Sequence, residues 1–184
     1  MKRRITRRLP ALMSIALLLG LTSCFEDNEP VAEEYADWKA KNEAYIEAVK
    51  DSVEGGKPFF TKMAPDWAPN AYALVHWHND TTLTRKNLSP MDNSMVRITY
   101  ELFDIEGKRL SDSFSNPDSV YTSRPSSNIM GVWYPLTQMH VGDSVTIVLP
   151  YQSGYGTMSY SGIKPYSTLI YNIKMKGISA YEIK

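Results

Sequence analysis

Three stretches of this chain alternate apolar and polar residues with period two, the signature of strands with one covered face. From Met95 to Phe103, Val96, Ile98, Tyr100 and Leu102 share one face, with Arg97, Thr99 and Glu101 on the other. Val145, Ile147 and Leu149 alternate with Ser144, Thr146 and Val148 up to Pro150, which has no N–H to give to a ladder. Leu169, Tyr171, Ile173 and Met175 then oppose Asn172, Lys174 and Lys176, which reads as a sheet covered on one side and turns Tyr171 inward. Tyr72 to His78 is a shorter apolar run and reads as the first strand of the same sheet. Gly131 to Met139 reads as a short helix, with Pro135 near its first turn and Gly142 where the chain reverses.

A second period lies upstream. Between Pro30 and Glu54, Tyr35, Trp38, Tyr45, Ile46, Val49 and Val53 recur at three to four residues, with Glu33, Glu34, Lys39, Lys41, Glu47 and Lys50 between them. The pattern predicts an amphipathic helix, opened by Pro30 and stopped by Gly55-Gly56. Such a helix docks on the domain, pairs with another copy or holds a partner; docking is the simplest of the three. The remaining segments read as loops. Lys57 to Pro69 is irregular, Asp80 to Asn93 is polar, and Ser111 to Ser127 is a long loop in which Tyr121 supplies an apolar plug.

The N-terminus changes the charge balance and the expected location. Lys2, Arg3, Arg4, Arg7 and Arg8 precede the apolar run Leu9 to Leu19, too short to span a bilayer but suited to a secretory signal. The leader ends Leu21-Thr22-Ser23-Cys24, which resembles the lipobox of bacterial lipoproteins. That resemblance implies cleavage before Cys24, lipidation of the only cysteine and an anchor without a transmembrane helix. The expected location is the outer membrane, on a face the sequence leaves open. Phe25-Glu26-Asp27-Asn28-Glu29 is either an outer-leaflet export tag or a solvated tether. Basic and acidic residues number 20 each, but five basic ones lie in the leader, leaving 15 against 20 and a net charge of about −5. Nucleic-acid binding thus loses its electrostatic basis.

His76 and His78 share a strand face, but no Cys, Asp or Glu at ligand spacing accompanies them, so no metal or other cofactor is expected. His140 falls in a turn, and no G-x-S-x-G or paired-carboxylate pattern supports hydrolysis.

One ordered set of fragments carries a family resemblance. Asn128-Ile129-Met130-Gly131, Met139-His140-Val141-Gly142, Leu149-Pro150, Gly154-Tyr155-Gly156, Ile163-Lys164-Pro165 and Thr168-Leu169-Ile170-Tyr171 follow one another at a spacing that resembles that of the FKBP-type peptidyl-prolyl cis-trans isomerases, save for about one residue lost in the loop. Val96-Arg97-Ile98-Thr99-Tyr100 followed by Gly107 resembles the family's strand and hairpin upstream. The resemblance covers about residues 94 to 178. It implies an α+β fold, an antiparallel curved sheet of five to six strands over the short helix, preceded by the amphipathic helix. The chain then divides into a lipoprotein signal peptide (1–23), a lipidated tether and amphipathic helix (24–56), a linker and first strand (57–93) and an FKBP-like domain (94–184).

By the same resemblance the pocket is Tyr100, Leu110, Ile129, Val132, Tyr155, Ile163 and Tyr171, with Asp112 as the candidate acid. Ile129 would present its backbone N–H to a ligand carbonyl, and the Tyr155 hydroxyl would donate to another. Read from the residues alone, Tyr100, Ile129 and Ile163 fit a core as well as a pocket. Three departures from the family matter. Leu110-Ser111 stands where it has Phe-Asp, so Asp112 is one residue late and substitutes only through a bulge. Val132 replaces the floor tryptophan, with Trp133 one step on, and Lys164 replaces a proline. The implied function is a lipid-anchored isomerase acting on X-Pro segments of exported proteins. The alternatives are an FKBP-like binding module with little or no turnover, which Val132, Leu110 and Ser111 would suit, and a surface ligand-binding lipoprotein on another β-fold. Oligomeric state is left open.

Overall fold

The computed structural model describes residues 33–182; the leader, Cys24 and the acidic stretch behind it lie outside them. Helix α1 spans Ala36–Lys50. It is followed by β1 (Val53–Glu54), β2 (Lys57–Pro58), β3 (Thr61–Met63), β4 (Ala73–Trp77) and the single turn α2 (Thr81–Thr84). Then come β5 (Met95–Phe103), β6 (Arg109–Asp112), β7 (Tyr121–Ser123), α3 (Met130–Gln138), β8 (Ser144–Leu149) and β9 (Leu169–Ala180).

The sheet has seven antiparallel strands in the order β3-β4-β8-β9-β5-β6, with β7 also paired to β5. That is one or two strands more than the sequence predicts. The additional ones are three-residue strands in segments read as loops: β3 pairs Thr61 with Val75, and β7 pairs Ile98 with Tyr121. Since β6 and β7 follow the same side of β5, they form one edge strand interrupted by residues 113–120.

The inward faces of β5, β8 and β9 and the buried face of α3 make the main core, where Leu136, Met139, Ile147, Leu149, Leu169 and Met175 are fully buried. Helix α3 lies close against β8 because Gly131 has no side chain: a Cβ there would sit 2.6 Å from Leu149 Cδ2 and 3.0 Å from the Ser153 carbonyl oxygen. Pro135 falls in the second turn of α3, not the first. Its ring leaves the Gly131 carbonyl without the usual i+4 donor.

Helix α1 is shorter than its pattern suggests. It ends at Lys50, Val53 is 68% exposed, and Gly55-Gly56, with φ of 58° and 77°, turns a tight hairpin pairing Val53 with Pro58. Positive φ at both central residues is what a two-residue hairpin of type I′ requires. Of the three uses of the helix, the structure shows docking. Ile46 packs with Leu74 and Val148 on the outer face of the sheet, flanked by Tyr45, Val49, Phe60, Tyr72 and Ile170. Burying an isoleucine in this way contributes roughly 1.5–3 kcal/mol. The sheet is therefore covered on both sides at β4 and β8, which is why Leu74 and Val148 break the alternation of buried and exposed positions.

Candidate functional site

A cavity of about 320 Å³ opens between the concave face of the sheet, α3 and the loop that joins β8 to β9. Each element delivers its wall residues by its own periodicity. Strand β5 contributes Ile98, Tyr100 and Leu102, alternate residues on the inward face, and β9 contributes Tyr171 and Ile173. Helix α3 places Val132 at the floor, 3% exposed, while the loop supplies Tyr155, Tyr160, Ser161 and Ile163. The edge adds Leu110, Ser111 and Tyr121, and Asn128 lies just ahead of α3.

Aromatic rings organise the walls. Tyr155 stacks on Tyr160 at 4.2 Å with 12° between the planes; Tyr100 meets Tyr121 edge-on at 5.5 Å and Tyr171 at 6.2 Å. The described residues lining the cavity include no carboxylate, imidazole, ammonium or guanidinium. Polarity comes from hydroxyls and one amide. Burial pushes the Tyr171 hydroxyl well above the usual tyrosine range, helped by Tyr155 beside it, and burial also raises Tyr155. The Tyr155 and Tyr171 hydroxyls interact side by side, and each carries one O–H and two acceptor lone pairs. The Asn128 amide is tied to the structure, donating 2.8 Å to the Arg124 carbonyl oxygen.

Of the residues singled out in the sequence, Tyr100, Leu110, Val132, Tyr155, Ile163 and Tyr171 come together around this cavity. Asp112 does not. A bulge does interrupt β6, but it lies at Leu110: Leu102 pairs with Ser111 and Phe103 with Arg109, so Leu110 is the extra residue. Downstream of it Asp112 pairs with Glu101, and directly opposed residues share a face. Both carboxylates therefore lie on the outer side, where Arg109 reaches Glu101 at 3.5 Å and Asp112 at 3.4 Å. Asp112 also accepts from the Phe114 and Ser115 amides, at 2.8 and 3.2 Å, holding the turn into residues 113–120. The wall position belongs to Ser111, whose Oγ lies 2.9 Å from the Tyr100 hydroxyl.

Ile129 lies at the head of α3, with its half-buried side chain packed against the core rather than lining the cavity. Its carbonyl oxygen accepts from the Val132 and Trp133 amides, both at 2.9 Å; among the described residues, none accepts from its N–H. Trp133, one step from Val132, points away from the floor. It donates to Asp92 at 2.7 Å and meets Trp67 at 5.8 Å. Lys164 also lies outside the cavity, with its ammonium 4.5 Å from the centre of the Trp38 ring on α1. Tyr160 and Ser161 are wall residues the sequence pattern missed, because a polar loop without periodicity gives no indication of which side chains turn inward.

Residues 86–176 match the family model of FKBP-type peptidyl-prolyl cis-trans isomerases. This stretch, just under half of the chain, is an FKBP-type domain. FKBP-type peptidyl-prolyl cis-trans isomerase FkpA of Escherichia coli K12 is 22% identical over 171 residues, covering 86% of this chain and 62% of the relative. The same figures hold for FkpA of Escherichia coli O157:H7. This chain thus spans about three fifths of the length of those curated relatives. Among solved structures, Escherichia coli FkpA superimposes with a TM-score of 0.68 at 20% identity, over 83% of this chain and 64% of that one. A peptidyl-prolyl cis-trans isomerase from Pseudomonas syringae pv. tomato DC3000 gives 0.62 at 20% identity, over 79% and 96%. At these identities the superpositions establish the FKBP fold. Among the described residues no three His, Cys, Asp or Glu side chains are grouped to hold a metal ion, and no helix is long and apolar enough to cross a membrane.

Proposed function

We propose that this protein is a peptidyl-prolyl cis-trans isomerase that takes the proline of an X-Pro segment into the Tyr100–Tyr155–Tyr171 cavity. One observation carries the reading: a cavity walled by tyrosine rings and aliphatic side chains, with no acid or base among the described residues that line it and with the Tyr155 hydroxyl on its wall. Isomerisation needs no nucleophile and no metal. Its barrier, roughly 18–20 kcal/mol, is the loss of amide conjugation as the bond twists. The twisted imide is less charge-separated than the planar one, so an apolar cradle suits it better than water does.

In this mechanism Val132, Ile163 and Leu110 exclude water from the proline ring. The Ile129 N–H and the Tyr155 hydroxyl hold the carbonyls on either side, so that the peptide turns about one bond only. Tyr171 fixes the Tyr155 oxygen, and Ser111 does the same for Tyr100. The direct test is acceleration of cis-trans exchange in a short X-Pro peptide by the full chain; no acceleration by folded protein would refute the reading.

A second reading, a peptide-binding module with little turnover, is favoured by the aliphatic Val132 floor and by Ser111 in place of a carboxylate. Binding of the same peptide without acceleration would establish it.

We further propose that Cys24 is lipidated and anchors the protein at the outer membrane, where it assists the folding of exported proteins. The basic leader, its short apolar run and Leu21-Thr22-Ser23-Cys24 support this. Fatty-acid labelling in cells tests the lipid: the chain should incorporate label and a Cys24→Ser variant should not.

A further inference from the structure

We infer that α1 is a positioning strut for the Tyr155 loop, with Asn42 as its central residue. This rests on the isomerase reading for its catalytic readout only. Asn42 is fully buried on a helix face otherwise given to apolar contact. An apolar residue would pack there more simply, but both ends of the amide are partnered. Its Oδ1 accepts from the Thr168 N–H at 2.6 Å, and its Nδ2 donates to the Trp38 carbonyl at 2.7 Å. The Asn42 carbonyl accepts from the Thr168 hydroxyl at 3.3 Å. One turn earlier, Trp38 Nε1 donates to Ser167 Oγ at 3.0 Å, and Lys164 lies over the Trp38 ring.

These contacts fall on one short segment, 164–168, which is the downstream anchor of the cavity loop. Tyr166 lies within it at φ 59°, a left-handed conformation that a tyrosine adopts only when its surroundings fix it. From there its N–H donates 2.9 Å to the Gly156 carbonyl oxygen, and its ring meets Tyr151 edge-on at 5.2 Å. Gly156 follows Tyr155, and Lys164 follows Ile163. A continuous path of bonds thus runs from Asn42 and Trp38 on the outer face, through Thr168, Ser167 and Tyr166, to two cavity walls. With Asn42 changed to an apolar residue, the Thr168 N–H is buried without an acceptor, and the segment must shift to satisfy it. Asn42 and Trp38 touch no substrate; they position Tyr155 and Ile163.

The experiment compares Asn42→Leu with Ile46→Ala in the full chain. Ile46→Ala loosens the same helix from Leu74 and Val148 without touching the loop. For each variant three quantities are read: melting temperature, the amide resonances of residues 154–166, and kcat and KM on an X-Pro peptide. Asn42→Leu should move the Tyr155, Gly156 and Tyr166 amide signals and lower kcat/KM roughly tenfold, as displaced positioning groups do. Ile46→Ala should lower the melting temperature at least as much, yet leave those signals in place and kcat/KM within about twofold.

Unmoved signals and unchanged kcat/KM in folded Asn42→Leu overturn the inference, as does an equal loss in Ile46→Ala. If Asn42→Leu fails to fold, Trp38→Phe decides, since it keeps a ring beside Lys164 and loses only the bond to Ser167. Unmoved 154–166 signals in that variant count against the strut. If the wild-type chain accelerates no X-Pro peptide, the isomerase reading falls by itself, and the amide signals still decide the role of α1.

Discussion

The hydroxyls of Tyr100 and Ser111 lie 2.9 Å apart on the cavity wall, while the neighbouring Asp112 faces outward to Arg109. The serine, not the carboxylate, is therefore the group that orients Tyr100. Ser111→Ala should lower kcat/KM roughly two- to tenfold, the worth of one hydrogen bond. Asp112→Ala should leave turnover within that margin but cost about 1–2 kcal/mol of stability, because it removes the acceptor for two amides. Kinetics beside denaturant unfolding of both variants separates the roles. A larger kinetic loss in Asp112→Ala would return the carboxylate to the site.

Close approach of α3 to β8 makes Gly131 intolerant of even a methyl group. A Cβ would press on Leu149 and on a backbone carbonyl, and only the leucine can move. Gly131→Ala should destabilise the fold by roughly 1–3 kcal/mol and, by displacing Val132, weaken peptide binding as well. Urea unfolding and a peptide titration of the variant check the two effects together.

Alkaline pH should destabilise the protein through Tyr171. Burial raises its hydroxyl above the ordinary tyrosine value, so the folded state holds a proton that the unfolded chain releases above pH ~10. Its stabilising contribution is complete below that pH and is lost as the pH rises beyond it. Tyr171→Phe should flatten this alkaline decline, measured as the urea midpoint from pH 8 to 11. Since no carboxylate or imidazole among the described residues lines the cavity, turnover should be level from about pH 6 to 9. A titration in that range would mean that an ionising group outside the cavity takes part.

The long strands were legible because burial imposes parity on them. In β5, β8 and β9 every second residue meets the core, and the fragments that resemble the family lie at their ends. The short strands were not legible. Thr61 and Lys62 of β3 and Tyr121 and Thr122 of β7 are exposed, so nothing in their polarity distinguishes edge pairing from loop. Val53 continued the helical period upstream by coincidence, and only the positive φ of Gly55 and Gly56 explains why the chain turns there. Asp112 shows a further limit. The sequence raised a bulge as the condition for bringing it inward, and a bulge exists, but its place at Leu110 depends on pairing with β5. The buried Asn42 gave no signal, since its partner Thr168 lies 126 residues away.

The central claim is that Tyr155 holds a substrate carbonyl while the X-Pro bond twists in the cavity. Exchange NMR of a short X-Pro peptide with the full chain and with Tyr155→Phe tests it most directly, because the substitution keeps the ring stacked on Tyr160 and removes only the hydroxyl, which also faces Tyr171. We predict acceleration by the wild-type chain and a kcat/KM lower by roughly tenfold in the variant, as the loss of one buried donor implies. Equal acceleration by both proteins would contradict the role of Tyr155, and acceleration by neither, with both folded, would contradict the isomerase itself.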